Sequence, residues 1–350
     1  MPAISELRRP LAELRVQPAL WAVTLSAFGF GLYGGLFYGA AFGASGWLRL
    51  LCMLGLGPAI AFLFRIAHDT GHLCHLRGMR ANHLVGRLSI LPSYHPYSVW
   101  MVLHNARHHA FTNLRGVDYI WTPLSKPEYD GLGKFGRWRE RMYRSAFGTG
   151  AYYLYAIWWR QMMLGRQAIR ARRPGTLLFD QCMVLAFVAL QLGLLAVAAG
   201  GPGGFALRVL GCMVVPHVML TWMLGYVSFF NHTHPLVPWF ARREEWSFHV
   251  GQVHCTVHMR VPAWLVFFMT DLGLHGAHHI DPRIPIWRLD EAERRLVAAE
   301  PALREERWTW RTQRDILRRC KLYDYDAHCW LDFAGNRTAA PTALVGREAG

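Results

Sequence analysis

The 350-residue chain contains 18 histidines, and three groups of them have the spacing of metal ligands. The groups are H-D-T-G-H at 68–72, H-N-A-R-H-H at 104–109 and H-G-A-H-H at 275–279. On a helix, residues three or four apart lie on the same face. The spacing therefore predicts the following sets on shared faces: His68 with His72, His104 with His108, and His275 with His278 and His279.

Eight neutral imidazoles are more than one tetrahedral ion binds, so the three groups predict two metal ions. His109 follows His108 directly and is rotated from it by about 100° on a helix, which predicts that it reaches the second ion. Imidazole binds zinc, copper, iron and nickel, and the spacing alone does not choose among these metals.

Other polar residues are candidates near the metals. A centre with only neutral ligands carries excess positive charge, so acids are expected to hydrogen-bond to the ligand rings and orient them. The candidate acids are Asp69, Asp118 and Asp271. His232 lies at the end of an apolar run and is the expected ninth ligand, and His234 and His258 are further candidates.

Four apolar runs must position these histidines. Residues 16–48, 50–64, 181–207 and 209–241 contain no Asp, Glu, Lys or Arg. A bilayer core needs about 20 apolar residues per helix. The runs predict membrane spans near 18–43, 48–67, 177–199 and 206–230, joined in two hairpins by glycine-containing turns.

Composition excludes several classes of protein. Apolar residues make up 53% of the chain and charged residues 17%, below the roughly 25% charged of a globular protein, which argues against a disordered chain or a charged coiled coil. The net charge of +15 could suit nucleic acid, but in so apolar a chain it favours contact with an anionic membrane surface. The seven scattered cysteines contain no C-x-x-C and predict reduced thiols.

The basic residues also predict an orientation. Two hairpins would place both termini and the 65–175 loop on one side, and of the 38 basic residues only Arg49 and Arg208 would lie near the opposite turns. The positive-inside rule makes the basic side cytoplasmic. The first apolar run is too long for the core of a cleaved signal peptide. We therefore expect a multi-pass protein of the cell or inner membrane with cytoplasmic termini and histidines.

The predicted fold is an all-α integral membrane protein: four transmembrane helices in two hairpins, with a cytoplasmic helical cap that holds the dimetal site. Residues 1–17 are expected to form a cytoplasmic segment, 18–320 the membrane domain, and 321–350 a tail that is disordered at its end.

From about residue 60 to 290, the chain resembles the membrane-bound fatty acid desaturases, in particular the acyl-lipid omega-6 or delta-12 branch. The group at 68–72 is similar to the H-D-x-G-H box of that branch. Residues 108–113 resemble the second box of that branch, and residues 271–279 resemble its third box. Residues 231–235, together with Glu245 and Trp246, resemble the segment that follows its fourth span.

The resemblance implies two irons as cofactors and no catalytic residues beyond the metal centre. The implied ligands are His68, His72, His104, His108, His109, His232, His275, His278 and His279. The reaction would be the oxygen-dependent removal of two hydrogens from a fatty acyl chain carried by a lipid, CoA or acyl carrier protein. O2 is the co-substrate. Electrons would come from a separate donor protein of ferredoxin or cytochrome type, since the chain has no H-P-G-G haem motif.

Three alternatives stay open. The second box is H-x3-H-H, a form also found in alkane hydroxylases, so a di-iron hydroxylase or acetylenase is the first alternative. A zinc transporter would place ionisable residues along its spans, whereas these spans carry little beyond His217 and Asp180. A membrane scaffold with fortuitous histidines is the third. Chain length, double-bond position, acyl carrier and oligomeric state are not predicted.

Overall fold

A computed structural model of the chain describes residues 3–16, 18–163, 174–260, 262, 274–300, 303 and 305–342. The described residues are mostly helical. In chain order the helices are α1 (Ile4–Arg8), α2 (Ala19–Phe42), α3 (Gly46–Gly71), α4 (Met79–Ile90), α5 (Tyr97–Met101), α6 (Lys126–Asp130), α7 (Lys134–Tyr143), α8 (Gly148–Tyr152), α9 (Pro174–Ala198), α10 (Pro202–His232), α11 (Phe248–Val253), α12 (His275–Ile280), α13 (Leu289–Ala299) and α14 (Trp310–Arg319).

Several segments depart from α-helical geometry. The π-helical segments are Val102–His109 after α5, Tyr153–Met163 after α8, and Leu210–Val214 within α10. The 3₁₀ segments are Arg9–Arg15, Leu91–Ser93, Arg243–Glu245 and Ile286–Arg288. Because π-helices recur at functional sites, the one at Val102–His109, which contains the second histidine group, is of particular interest.

The described part of the chain also contains four short strands. Strand β1 (His258–Arg260) pairs in parallel with β2 (Glu305–Arg307), and β3 (Leu322–Asp324) pairs antiparallel with β4 (Cys329–Leu331). The expectation of an all-α fold missed these strands. Three residues are too few to show the alternating pattern by which a strand is recognised in a sequence.

Four helices are long and apolar enough to cross a membrane: α2, α3, α9 and α10. They lie at the four positions predicted from the apolar runs. Helix α3 begins at a cap in which the Ser45 hydroxyl accepts from the Leu48 amide, at 3.1 Å. It continues to Gly71, so the first histidine group forms its last turn and the residue that follows.

The described chain divides into two compact units. The apolar unit comprises Val16–Val102 and Tyr153–Met223. Within it, small residues let α2 and α3 pack closely, since a Cβ added at Gly39 would lie 2.6 Å from Cys52 Sγ. A buried hydrogen-bonded chain joins α2 to α9: Tyr94 donates to Gln191, which donates to Tyr33, both at 2.9 Å.

The polar unit comprises Met1–Arg15, Leu103–Tyr152 and Leu224–Gly350. Its core includes the fully buried Trp121, whose ring stacks on Tyr152 with centroids 4.0 Å apart. The β3–β4 pair packs into this unit, because the Trp330 indole donates to the Val237 carbonyl at 3.2 Å. Part of the predicted tail is therefore folded structure, and its last residues, 343–350, lie outside the described residues.

Candidate metal centre

The second histidine group lies on the π-helical segment Val102–His109. In a π-helix the backbone hydrogen bonds join residues i and i+5, so residues five apart lie one turn from each other. His104 and His109 accordingly face each other, with their Nε2 atoms 3.1 Å apart. The rings of His104 and His108 have centroids 5.6 Å apart, so these two side chains are neighbours as predicted, although His109 is the residue whose Nε2 atom meets that of His104. That His109 reaches a second ion stays a prediction.

Four buried histidines of the polar unit form a compact group. Each offers one ring nitrogen, and these four nitrogens lie within 4.8 Å of one another. They come from three elements: the π-helical segment, the end of α10, and α12, which contributes two residues. The members are His108, His232, His275 and His279. We call this set the four-histidine group.

The pair on α12 follows the expected helical spacing. His275 and His279 are four residues apart, and their Nε2 atoms are 3.0 Å apart. The two nitrogens are therefore close enough together that both could bind one ion. His278, predicted to lie with them, instead has its Nε2 atom 3.0 Å from that of His109, since adjacent helical residues are about 100° apart.

Hydrogen bonds at Nδ1 orient three rings of the four-histidine group. Nδ1 of His232 donates to the Cys255 carbonyl at 3.0 Å, and Nδ1 of His279 lies 3.3 Å from the Gln252 amide oxygen. Nδ1 of His108 lies 3.2 Å from both carboxylate oxygens of Asp118. A histidine that donates from Nδ1 presents the lone pair of Nε2.

These Nε2 atoms provide the test of whether a metal fits. Among the described residues, the buried Nε2 atoms of His108 and His232 have no hydrogen-bond partner. Burial, and then the neighbouring histidines, hold the pKa of His279 well below its usual range, so its imidazole is neutral. Buried, neutral and oriented imidazoles are the ligands of zinc, copper, iron and nickel. The four-histidine group therefore fits a transition-metal ion.

Three further histidines lie together in the same unit. Nε2 of His109 is 3.1 Å from that of His104 and 3.0 Å from that of His278. The rings of His109 and His279 have centroids 4.4 Å apart. His109 thus lies between the four-histidine group on one side and His104 and His278 on the other.

The first histidine group belongs to the apolar unit. The rings of His68 and His72 have centroids 4.8 Å apart, which agrees with the predicted shared face. The Asp69 carboxylate lies 3.7 Å from Nδ1 of His68, too far for a hydrogen bond. The Tyr97 hydroxyl donates to Thr70 at 3.3 Å, so α5 contacts this box.

The remaining candidates are placed as follows. His234 accepts from the Leu236 amide at 3.2 Å in a turn after α10 and is outside the four-histidine group. His258 is also outside it and is hydrogen-bonded to the Glu293 carboxylate. Asp118 contacts His108 as described. Asp271 lies outside the described residues.

Sequence reasoning missed the carboxylate that supports α12. Glu293 on α13 is buried, and it accepts both from the Ala277 amide, at 2.9 Å, and from His258. The signal was available, because positions 289, 292, 293 and 296 form one helical stripe and the other three are apolar. A glutamate on such a stripe must be buried against a partner.

The N-terminal segment also supports α12. Arg8 donates to the Ile280 carbonyl and Arg15 to the Asp281 carboxylate, both at 2.6 Å. Asp281 is fully buried. The two residues directly after the third histidine box are thus held by the first fifteen residues of the chain.

Comparison with known proteins gives a family match. A sequence model of the fatty acid desaturase family matches residues 45–313, which include the three histidine boxes. The chain is 28% identical over 283 residues to "Omega-6 fatty acid desaturase, chloroplastic" of Glycine max. That alignment covers 79% of this chain and 63% of the Glycine max protein, so the chain spans less than two thirds of that relative.

Two further proteins are also similar. The chain is 27% identical over 297 residues to "sn-1 oleoyl-lipid 12-desaturase" of Picosynechococcus sp., covering 82% of this chain and 80% of that protein. It is 28% identical over 268 residues to "sn-1 acyl-lipid omega-3 desaturase (ferredoxin)" of Synechocystis sp., covering 75% and 71%.

Proposed function

The chain belongs to the fatty acid desaturase family, in its delta-12/omega-6 branch, and from this we propose that it is an oxygen-dependent di-iron desaturase of lipid-linked acyl chains. The family makes it a membrane-associated oxidoreductase. The observation that carries the proposal is the four-histidine group, whose buried rings are held in a ligand-presenting orientation.

We propose that the four-histidine group binds one iron. The family resemblance implies nine histidine ligands, and we propose that the remaining five of that set bind the second iron. These are His68, His72, His104, His109 and His278.

The proposed reaction converts adjacent methylenes to a double bond. In balanced form, –CH2–CH2– + O2 + 2 e⁻ + 2 H⁺ gives –CH=CH– + 2 H2O. An unactivated methylene has no acidic proton, so no general base of this chain could begin the reaction. Bound iron would supply oxygen activation and removal of the two hydrogens.

The residues of the chain contribute orientation and exclusion of water. Asp118, Gln252 and the Cys255 carbonyl fix the rings of the four-histidine group. All four rings are buried, so the oxidising chemistry would be kept away from bulk solvent. Burial lowers the pKa of His232 and of His279 well below the usual range, which keeps these two imidazoles neutral and able to bind a metal.

The electrons are proposed to come from a separate carrier protein of ferredoxin or cytochrome type. The Synechocystis relative has ferredoxin in its name, which favours the first of these. Purified chain supplied with O2 and reduced ferredoxin should then turn over, and the same mixture without ferredoxin should not.

We also propose that α2 with α3, and α9 with α10, form two membrane hairpins with the termini and histidines in the cytoplasm. The support is the distribution of basic residues, since only Arg49 and Arg208 lie near the two connecting turns. Reporter fusions at residue 45, residue 201 and the C-terminus test this. A periplasmic C-terminus would contradict it.

Metal analysis and lipid analysis together test the reaction. Purified protein should contain two irons per chain, and expression in a host with simple lipids should add a double bond to its acyl chains. His108→Ala and His275→Ala should each lose the iron of one site and form no unsaturated product. His234→Ala, outside the four-histidine group, should keep both the iron content and the product. Stoichiometric zinc without iron would overturn the proposal. A hydroxylated product would support the alternative hydroxylase.

A further inference from the structure

A cleft in the apolar unit lies between α4 and the first turns of α9. Its volume is about 330 Å³. It is lined by Arg80, His83, Leu84, Arg87, Phe179 and Met183. None of these residues belongs to the histidine boxes, and the proposed reaction does not use them. The lining has two kinds of residue: we call the basic ones the rim and the apolar ones the floor.

The position of the cleft favours a lipid environment. Helix α9 is a candidate membrane span, and Phe179 lies in its second turn and is exposed. On α4, Arg80, Leu84 and Leu88 are four residues apart and therefore share a face, and all three are exposed. A helix that exposes leucines beside an arginine is typical of the membrane surface.

The charges around the cleft are unequal. The Arg87 guanidinium donates to the Asp180 carboxylate at 2.7 Å, so its charge is already compensated. Asp180 also accepts from the Ser98 amide at 2.8 Å. Arg80 is exposed and forms no salt bridge with any described residue. The cleft therefore has one available positive charge, that of Arg80.

His83 adds a polar group to the same rim. Its Nδ1 atom is buried and has no hydrogen-bond partner among the residues that the structure describes. Its ring packs edge-on against Tyr97, with centroids 5.9 Å apart. Burial and the Arg87 charge lower the pKa of His83, so it would offer a hydrogen bond rather than a second charge.

We propose that this cleft binds an anionic phospholipid, with its phosphate at Arg80 and His83 and part of an acyl chain along the apolar floor. The floor consists of Leu84, Phe179 and Met183. An anionic phospholipid matches the whole lining, because it joins a phosphate to a hydrocarbon chain. Inorganic phosphate would use the rim and leave the floor exposed to water.

The cleft is also connected to the first histidine box within the same unit. The Arg87 guanidinium lies 5.6 Å from the centroid of the Tyr97 ring, and the Tyr97 hydroxyl bonds to Thr70. Tyr97 thus contacts the cleft residues on one side and the box at 68–72 on the other. A phospholipid in the cleft would lie against the residues that support this box.

Lipid binding to the full chain in detergent, followed by native mass spectrometry, tests the proposal without turnover. Wild-type protein should retain phosphatidylglycerol in preference to phosphatidylcholine. Arg80→Gln should weaken phosphatidylglycerol binding about tenfold, the effect of losing one charge-assisted hydrogen bond. Arg311→Gln removes an exposed arginine of α14 and should leave binding unchanged.

A second variant separates a lipid site from a simple anion site. Leu84→Gln should weaken phosphatidylglycerol binding, and millimolar inorganic phosphate should not displace the lipid from wild-type protein. Equal retention of the two lipids, no loss in Arg80→Gln, or displacement by inorganic phosphate would each overturn the proposal. Because no product is measured, these outcomes are independent of the proposed desaturation.

Discussion

Both carboxylate oxygens of Asp118 lie 3.2 Å from Nδ1 of His108, and both side chains are buried. The carboxylate is itself fixed, because it accepts from the backbone amides of Asn113, at 2.8 Å, and Ile120, at 3.1 Å. Asp118 therefore sets both the tautomer and the direction of the His108 ring, and it offsets part of the positive charge of a bound metal.

Asp118→Asn is expected to weaken metal binding by about 10–100-fold, the usual cost of changing a hydrogen-bond partner of a ligating histidine. The neutral amide can still accept one hydrogen bond but no longer compensates the charge. Iron retained during dialysis against a graded chelator measures the effect. Asp130→Asn is the matched control, since Asp130 is exposed and pairs with Lys126. Equal retention by both variants would show that Asp118 does not support the metal.

Glu293→Gln is expected to destabilise the α12 region. Glu293 accepts from the Ala277 amide and from His258, and glutamine has only one oxygen with which to accept. One buried donor would be left unsatisfied, at a cost of about 1–3 kcal/mol. The melting temperature in detergent should fall by a few degrees, and less iron should be retained.

Glu291→Gln, two residues earlier on α13, controls for the loss of a negative charge. Glu291 is half-buried and pairs with Arg295 on its own helix. Its variant should melt within about 1 °C of wild type. If the two variants melted together, Glu293 would have no special part in holding α12.

Gly276→Ala is expected to disrupt the third histidine box. A Cβ at position 276 would lie 2.3 Å from Nδ1 and Cε1 of His258, closer than any real contact, so either the ring or α12 would have to move. Overpacking of this kind costs about 1–3 kcal/mol and would displace His275. Iron content and activity should both fall. Gly34→Ala, with nothing within 4 Å of the added Cβ, should leave both unchanged, and equal losses in the two variants would contradict the argument.

The sequence was sufficient for the features set by long, regular patterns. Four apolar runs predicted four helices, and α-helical spacing correctly paired His68 with His72 and His275 with His279. The α-helical spacing did not predict that Nε2 of His109 lies next to that of His104, because this segment is π-helical. The π-helical geometry of Val102–His109 depends on tertiary packing, and no residue type in that segment indicates it.

The supporting hydrogen bonds were harder to predict for a different reason. Asp118, ten residues from His108, was among the predicted acids, whereas Cys255 is 23 residues from His232 and contributes only its carbonyl. Every residue has a carbonyl, so side-chain identity carries no information about such a partner. Contacts of this kind are defined only when distant segments fold together.

Lys321 provides a test of electrostatics away from the metals. Burial, with the nearby Arg144 charge, lowers the pKa of Lys321 from 10.5 to about 8, while its ammonium donates to the Arg144 carbonyl at 2.9 Å. Between pH 8 and 10.5 the unfolded chain binds a proton that the folded chain has released. Stability contributed by this residue therefore rises with pH across that window and is constant below it.

The free energy of unfolding of wild type relative to Lys321→Met should accordingly increase between pH 7.5 and pH 10. With a discount for partial exposure, the increase should be about 1–2 kcal/mol, or about 1–3 °C in melting temperature. Lys134→Met, at an exposed position on α7, controls for the loss of one positive charge and should show no such trend. A wild-type advantage that stayed constant or shrank with rising pH would mean that Lys321 is not disfavoured in its charged form, because only a lowered folded-state pKa gives this sign.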